Sequence, residues 1–310
     1  MAKDKGTPSA GLQEMMDINE LAKEDFSGAT EAAPEKGIFY LVGGFIDQDG
    51  KLNNEVQLRA ITGREEDIIA NMNASNIVPS MNELMVSCTE RIGSITGKEE
   101  IRNAILNMPS GSRTHLLICI RVVSHWDVNK DTYVVEAKCP ACRHAGHYSF
   151  SLMEIEQYDW EEPKMEHEVV LPGSKKKVVW HVMTGVRDEM SMMLSSIRGM
   201  NPVTAAMMVR IKEIDGKDCW LDSSDVSGQP GRVRLSKKAK WLLNELSSWT
   251  IAHRDFIRAE FLDHEPSVET EVDFMCENCG EEFSADLNIA SASFFFPQVT
   301  SRRWKRKRSS

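Results

Sequence analysis

The pattern of apolar and polar positions changes abruptly at Gly37. From there Ile38 to Ile46 reads as a strand, Asp47-Gln-Asp-Gly50 as a tight turn, and Glu55 to Ile61 as a returning strand. Asp49-Gly50 suits a type I′ hairpin, because glycine takes positive φ without steric cost. The Asp47 and Asp49 pair is a turn and not a calcium loop, since the remaining ligand positions of an EF-hand are missing. Further on, Arg113 to Trp126 and Ser236 to Trp249 carry apolar residues at helical spacing and predict amphipathic helices. Before Gly37, Leu12, Met15, Met16, Ile18 and Leu21 outline a short amphipathic stretch. It lies in a segment rich in Gly, Pro, Ser, Ala and charge, so residues 1–36 are expected to form a disordered N-terminal arm.

The same phrasing occurs twice. Val56-Gln-Leu-Arg-Ala-Ile-Thr-Gly63 is followed by Arg-Glu-Glu-Asp and a helical run; Val178-Val-Trp-His-Val-Met-Thr-Gly185 is followed by Val-Arg-Asp-Glu and another. In both, an alternating strand ends at Thr-Gly and acidic residues open a helix, where its dipole favours them. Each half then ends in a hairpin pattern, with one of the two amphipathic helices, Arg113 to Trp126 or Ser236 to Trp249, expected just upstream of it. Tyr133 to Lys138 leads into Cys139-Pro-Ala-Cys142 and Tyr148 to Leu152; Thr270 to Met275 leads into Cys276-Glu-Asn-Cys279 and Phe283 to Leu287. From Thr-Gly to the first cysteine is 76 residues in one half and 91 in the other. The surplus fits the Gly- and Ser-rich stretch from Asp215 to Arg232.

The expected fold class is therefore α+β, with two duplicated strand–helix–knuckle units. Their expected bounds are 37–160 and 161–297, leaving a basic C-terminal tail at 298–310.

Charge narrows the function. Lys plus Arg total 37 against 47 Asp plus Glu, a formal charge of −10. Six cations between Arg302 and Arg308 belong to the tail, and removing them leaves −16 for everything before. Such an acidic body argues against a broad nucleic-acid groove. The tail reads first as a solvated segment, next as a contact for an acidic partner, and third as a nucleic-acid contact in which Trp304 stacks on a base. No apolar run approaches the roughly 18 to 20 residues of a membrane helix. The first thirty residues lack the basic start and apolar core of a signal peptide. The expectation is a protein neither secreted nor inserted in a membrane.

Seven cysteines, four of them in two C-x-x-C pairs, point to metal ligation rather than a disulfide framework. Each pair lies between two short strands, so each reads as a hairpin aiming two sulfurs one way. Zinc takes four ligands in a tetrahedron, and one C-x-x-C supplies two. Cys139, Cys142, Cys276 and Cys279 together complete one structural Zn2+ site per chain, clamping the two units. The 133 residues between Cys142 and Cys276 far exceed a compact zinc ribbon, and the duplication accounts for the gap. A rival set is Cys139, Cys142, His144 and His147, and a chain without bound metal is the third reading. Four thiolates would leave no open position for water, so the role is structural. A thioredoxin-like motif would open a helix, whereas both motifs lead into strands.

No catalytic pattern is present: no phosphate loop at Gly43-Gly44 or Gly228 to Gly231, no nucleophile elbow, no H-E-x-x-H helix. His181 and the His253/Asp255 neighbours read as structural contacts, and Cys88, Cys119 and Cys219 as buried small side chains. The chain is read as a non-enzyme. Seventeen methionines, among them Met190, Met192, Met193, Met207 and Met208, read as core filling, with an assembly surface as the alternative. Phe294-Phe295-Phe296 cannot all face one side of an element, so one of them should meet a neighbour or lie across the unit interface.

Several of these patterns occur in a distinctive order. The strand–Thr-Gly–acidic-helix opening is followed by Ser110-Gly-Ser-Arg-Thr-His-Leu-Leu-Ile-Cys-Ile-Arg121 and Cys139-Pro-Ala-Cys142, and then by Cys276-Glu-Asn-Cys279-Gly through Phe296-Pro297. Over roughly 55 to 297 this resembles the base-plate and tail-assembly proteins of T-even-like contractile phages and related contractile injection systems. The resemblance implies a non-enzymatic structural or assembly component of the base-plate hub region. Its partners would be other base-plate, hub, spike or tail-tube proteins, and it would be assembled in the bacterial host cytoplasm into the virion tail. The competing reading is a zinc-ribbon nucleic-acid-binding protein using the basic tail. Glu277, Glu281 and Glu282 around Cys279 speak against it.

Overall fold

The computed structural model describes residues 37–129 and 131–296. The amphipathic stretch Leu12 to Leu21 and the basic tail lie outside the described residues. The first sheet is antiparallel, in the order β1 (Ile38–Ile46), β2 (Leu52–Leu58), β3 (Thr89–Ile92). Asp47 builds the turn. Its Oδ1 accepts the amides of Asp49 and Lys51, and its Oδ2 accepts from Asn53 Nδ2. Gly50 takes φ 78° but Asp49 does not have positive φ, so the expected type I′ pair is not formed. The returning strand runs earlier than its sequence pattern indicates. Arg59, Ala60 and Ile61 lie beyond it: the Ile61 N–H donates to Ser124 Oγ at 2.9 Å, and Thr62 already stands at the N-cap of α1 (Gly63–Ala70). There the buried Glu65 carboxylate accepts the Thr62 N–H and hydroxyl, the Ser87 hydroxyl and Arg59 Nη2. The Arg59 guanidinium first, and then these other donors, hold it well below the usual carboxylate range.

α2 (Ile77–Cys88) leads directly into β3, and α3 (Lys98–Asn107) and α4 (Ser110–Asn129) follow. The first cysteine hairpin is β4 (Thr132–Lys138) and β5 (Ala145–Ser151). The short strand β6 (Gln157–Tyr158) comes next.

The second sheet has the order β10 (Lys217–Asp218), β9 (Ile211–Ile214), β8 (Lys177–His181), β7 (Glu166–Val170). Between β8 and β9 stand α5 (Gly185–Ser195) and α6 (Pro202–Arg210). The small pair β11 (Val226–Ser227) and β12 (Arg234–Leu235) occupies the long connection to α7 (Lys237–Ser248). α8 (Ile251–His264) and β13 (Ser267–Val268) then precede the second cysteine hairpin, β14 (Glu271–Met275) with β15 (Glu282–Asp286). Apart from the two-residue strands β10 to β13, which only the second contains, both stretches run strand, strand, helix, helix, strand, helix, helix, hairpin.

The helix read from Ser236 to Trp249 is present, but α8, not α7, stands directly before the second hairpin. Only Ile257 and Phe261 of α8 are buried, too thin an apolar stripe to stand out in sequence.

Two hydrophobic clusters form the interior. One draws on β1 to β3 and α1 to α4 and is completed from far along the chain by Leu287, Ile289, Phe294 and Phe295. The other lies between Leu171 and Phe261. The Gly43-Gly44 pair has a packing role: Gly43, at φ 71°, leaves room for Pro266, whose ring a Cβ would meet at 2.4 Å. Gly111 on α4 approaches the Pro266 carbonyl so closely that a Cβ would sit 1.8 Å from its oxygen.

His115 on α4 is buried in the first cluster, where its Nδ1 accepts the Val42 amide at 3.0 Å. Burial lowers its pKa from 6.5 to about 4. Between those values the unfolded chain binds the extra proton and the folded chain does not. Stability is therefore full above pH 6.5 and falls as the pH drops through that window. From pH 7 to pH 5 this residue should remove about 2 kcal/mol. Urea unfolding across that range in wild type and His115→Asn should give a shallower pH slope in the variant. Equal slopes would contradict a neutral, buried His115.

A candidate metal centre between two hairpins

The two knuckles share one backbone construction. Cys139 N–H donates to the His144 carbonyl and Arg143 N–H to the Cys139 carbonyl, both at 2.9 Å. Cys276 N–H donates to the Glu281 carbonyl at 2.8 Å and Gly280 N–H to the Cys276 carbonyl at 2.9 Å. The residue four beyond the first cysteine has positive φ in each, Arg143 at 61° and Gly280 at 72°. Glycine adopts that conformation freely, and Arg143 adopts it at a steric cost. This turn folds each C-x-x-C so that both sulfurs face the same way.

The hairpins pack through their inward residues. Tyr148 lies against Phe274 at 5.1 Å and edge-on to Phe283 at 5.5 Å, with Ala137 buried beside them. Alternation along the strands sets this face: Phe274 is buried, whereas Glu271, Asp273 and Met275 point outward. Stacking the two faces brings the tips together. Cys139 Sγ lies 3.7 Å from Cys279 Sγ and Cys142 Sγ 3.6 Å from Cys276 Sγ, and all four sulfurs fall within 4.8 Å of one another. A tetrahedron with metal–sulfur bonds of about 2.3 Å has edges of about 3.8 Å, so the cluster is sized for one such ion.

Amide dipoles prepare the sulfurs for negative charge. The His144 amide first, then the Asn278 side chain, lower Cys142 to about 6. Burial pushes Cys276 up, but the amides of Cys279 and Asn278 outweigh it and leave it below its ordinary value. The Glu281 amide pulls Cys279 down, yet the neighbouring Cys142 sulfur and burial prevail and hold it at about 12. Four adjacent thiols cannot all ionise without a cation, because each thiolate raises the cost of the next. A divalent ion would remove that conflict. The rival ligands His144 and His147 are exposed and stand outside the four-sulfur group.

A family model described as T4 bacteriophage base plate protein matches residues 46–296. The chain belongs to that family. No curated protein and no solved structure matches it.

The matched region of this base-plate protein contains the second sheet, the second hydrophobic cluster and all four cysteines of the candidate centre, and takes in the first sheet and cluster except for the part of β1 before Ile46. The other cysteines have no part in the centre. Cys88, Cys119 and Cys219 are buried, and burial pushes Cys88 up to about 12 and Cys219 to about 11. Met207 and Met208 are core residues, with Met190 and Met193 packed against the same cluster. His181 turns its Nδ1 to the Val182 carbonyl and His253 its Nε2 to the Pro172 carbonyl. Phe294 and Phe295 are wholly buried in the first cluster and Phe296 partly so. Among the described residues no helix is long and apolar enough to cross a membrane.

Sequence patterns do not identify Tyr148 or Asn278 as part of the centre. Asn278 donates its side-chain amide to Cys142 Sγ at 3.6 Å, across a sequence gap of 136 residues. The only local sign is its place inside the second C-x-x-C.

Proposed function

We propose that this base-plate protein is a non-enzymatic component of the hub region of a contractile tail, built from two copies of one α+β unit. The units, 37–160 and 161–297, are clamped by one structural zinc on Cys139, Cys142, Cys276 and Cys279. The observation that carries this reading is the meeting of four sulfurs from hairpins more than 130 residues apart. The matching order of elements supports the duplication. So do Thr62 and Thr184, which hold almost the same extended N-cap geometry, φ −119° with ψ 177° and φ −127° with ψ 170°.

With its coordination closed by thiolates, the ion supplies no catalytic position and acts by fixing surfaces. The partners are then other base-plate, hub, spike or tail-tube proteins, met during assembly in the bacterial host cytoplasm. A tagged pull-down from producing cells, treated with nuclease and read by mass spectrometry, tests this. Tail-tube, spike or base-plate proteins are the expected catch. Nucleic-acid machinery, or loss of all partners after nuclease, would overturn it in favour of a nucleic-acid role for the basic tail.

A further inference from the structure

Tyr148 is buried, and its hydroxyl has no hydrogen-bond partner in the protein. A buried hydroxyl without a partner costs free energy that a phenylalanine at the same place would not. The ring is fully employed in the stack with Phe274 and Phe283, so packing alone accounts for the ring and not for the oxygen. The hydroxyl also sits where a side chain on the next inward residue of its own strand would strike it. A Cβ on Gly146 would lie 2.7 Å from the hydroxyl oxygen. That glycine gives the phenol room to extend along β5 toward the knuckles.

At that end lie the two buried sulfurs of the cluster, Cys139 and Cys276. The more open Cys142 already has a side-chain donor in Asn278. A divalent ion with four thiolates keeps two net negative charges. Its buried side needs donors where water is excluded, and the hydroxyl is the orphaned side-chain donor on that side.

We infer that Tyr148 is a positioning residue of the metal centre, its hydroxyl donating to one of the two buried thiolates, Cys139 or Cys276, in the metal-bound state. The inference rests on the four-sulfur reading. Donation to a thiolate lowers its electron density and fixes its orientation, so it stabilises a tetrathiolate centre that would otherwise be over-charged.

The test is Tyr148→Phe, which keeps the ring, in full-length protein loaded with Co2+. The sulfur-to-cobalt charge-transfer bands should shift, and cobalt transfer to a chelator should become about tenfold faster, the lower end of the effect of outer ligand partners. Phe283→Leu disturbs the same stack without touching the hydroxyl. It should lower thermal stability and leave the bands in place, so a band shift there would assign the effect to packing and overturn the inference. Unchanged bands and release in Tyr148→Phe would overturn the role of the hydroxyl alone. A wild-type chain that takes up no Co2+ would overturn the four-sulfur reading and this inference together.

Discussion

Replacing Cys139 by serine is expected to abolish stable zinc binding and loosen the two hairpins, and Cys276→Ser to do the same to a similar degree. The symmetry of the expectation follows from the geometry. Each knuckle contributes one buried and one more open sulfur, held by the same pair of backbone hydrogen bonds. Structural zinc contributes on the order of 10 kcal/mol to the folding of small domains. Outside the cysteines, the hairpin contact rests on a few aromatic rings, so the ion should be its largest single support. Metal content by native mass spectrometry and thermal melts with and without a strong chelator measure both effects. The chelator should lower the melting temperature of wild type and leave the serine variants nearly unmoved. Full zinc in either single variant would exclude a shared site. His144→Ala and His147→Ala should retain zinc, whereas loss there would return the centre to the first hairpin.

What could be read from sequence follows from how local each signal is. The Asp47 turn, the Thr-Gly helix starts and the knuckles are written in a few adjacent residues whose φ angles and donors are set nearby. They are found where their residue types place them. Pairing two half-sites across 133 residues could also be reasoned, because two sulfurs cannot close a tetrahedron and a second pair was present. Other features depend on contacts that no local pattern carries. α8 buries little of its surface, so its periodicity is weak and α7 carries the stronger helical pattern. Tyr148 reads simply as an inward residue of a strand. Its hydroxyl acquires meaning only when the second hairpin stacks on the first. The three phenylalanines could be sorted only once the chain was seen to return to the first cluster.

That return makes Phe294→Ala the second variant expected to have a large effect. Phe294 is wholly buried, packs on Tyr133 at 5.3 Å and on Phe295 at 5.1 Å, and its carbonyl accepts Arg121 Nε at 2.8 Å. Arg121 is itself buried, and burial lowers its pKa to about 10. Its guanidinium therefore depends on that carbonyl and on the Tyr133 ring, 5.8 Å away. Truncation to alanine should cost about 3 to 5 kcal/mol, through lost burial and the cavity left behind. The loss should be uneven. Hydrogen exchange should rise in β1 to β3, α4 and the 287–296 segment, and remain low in the cluster between Leu171 and Phe261, which shares none of these contacts. Tyr133 begins the first hairpin, and the segment ending in Phe294 follows the second. The anchor and the metal thus hold the same pair of hairpins from opposite ends. Their losses should couple: removing zinc should cost less in Phe294→Ala than in wild type, because the hairpins are already partly released. Strict additivity would mean that the two attachments act independently and that the metal is not needed to hold the returning chain in place.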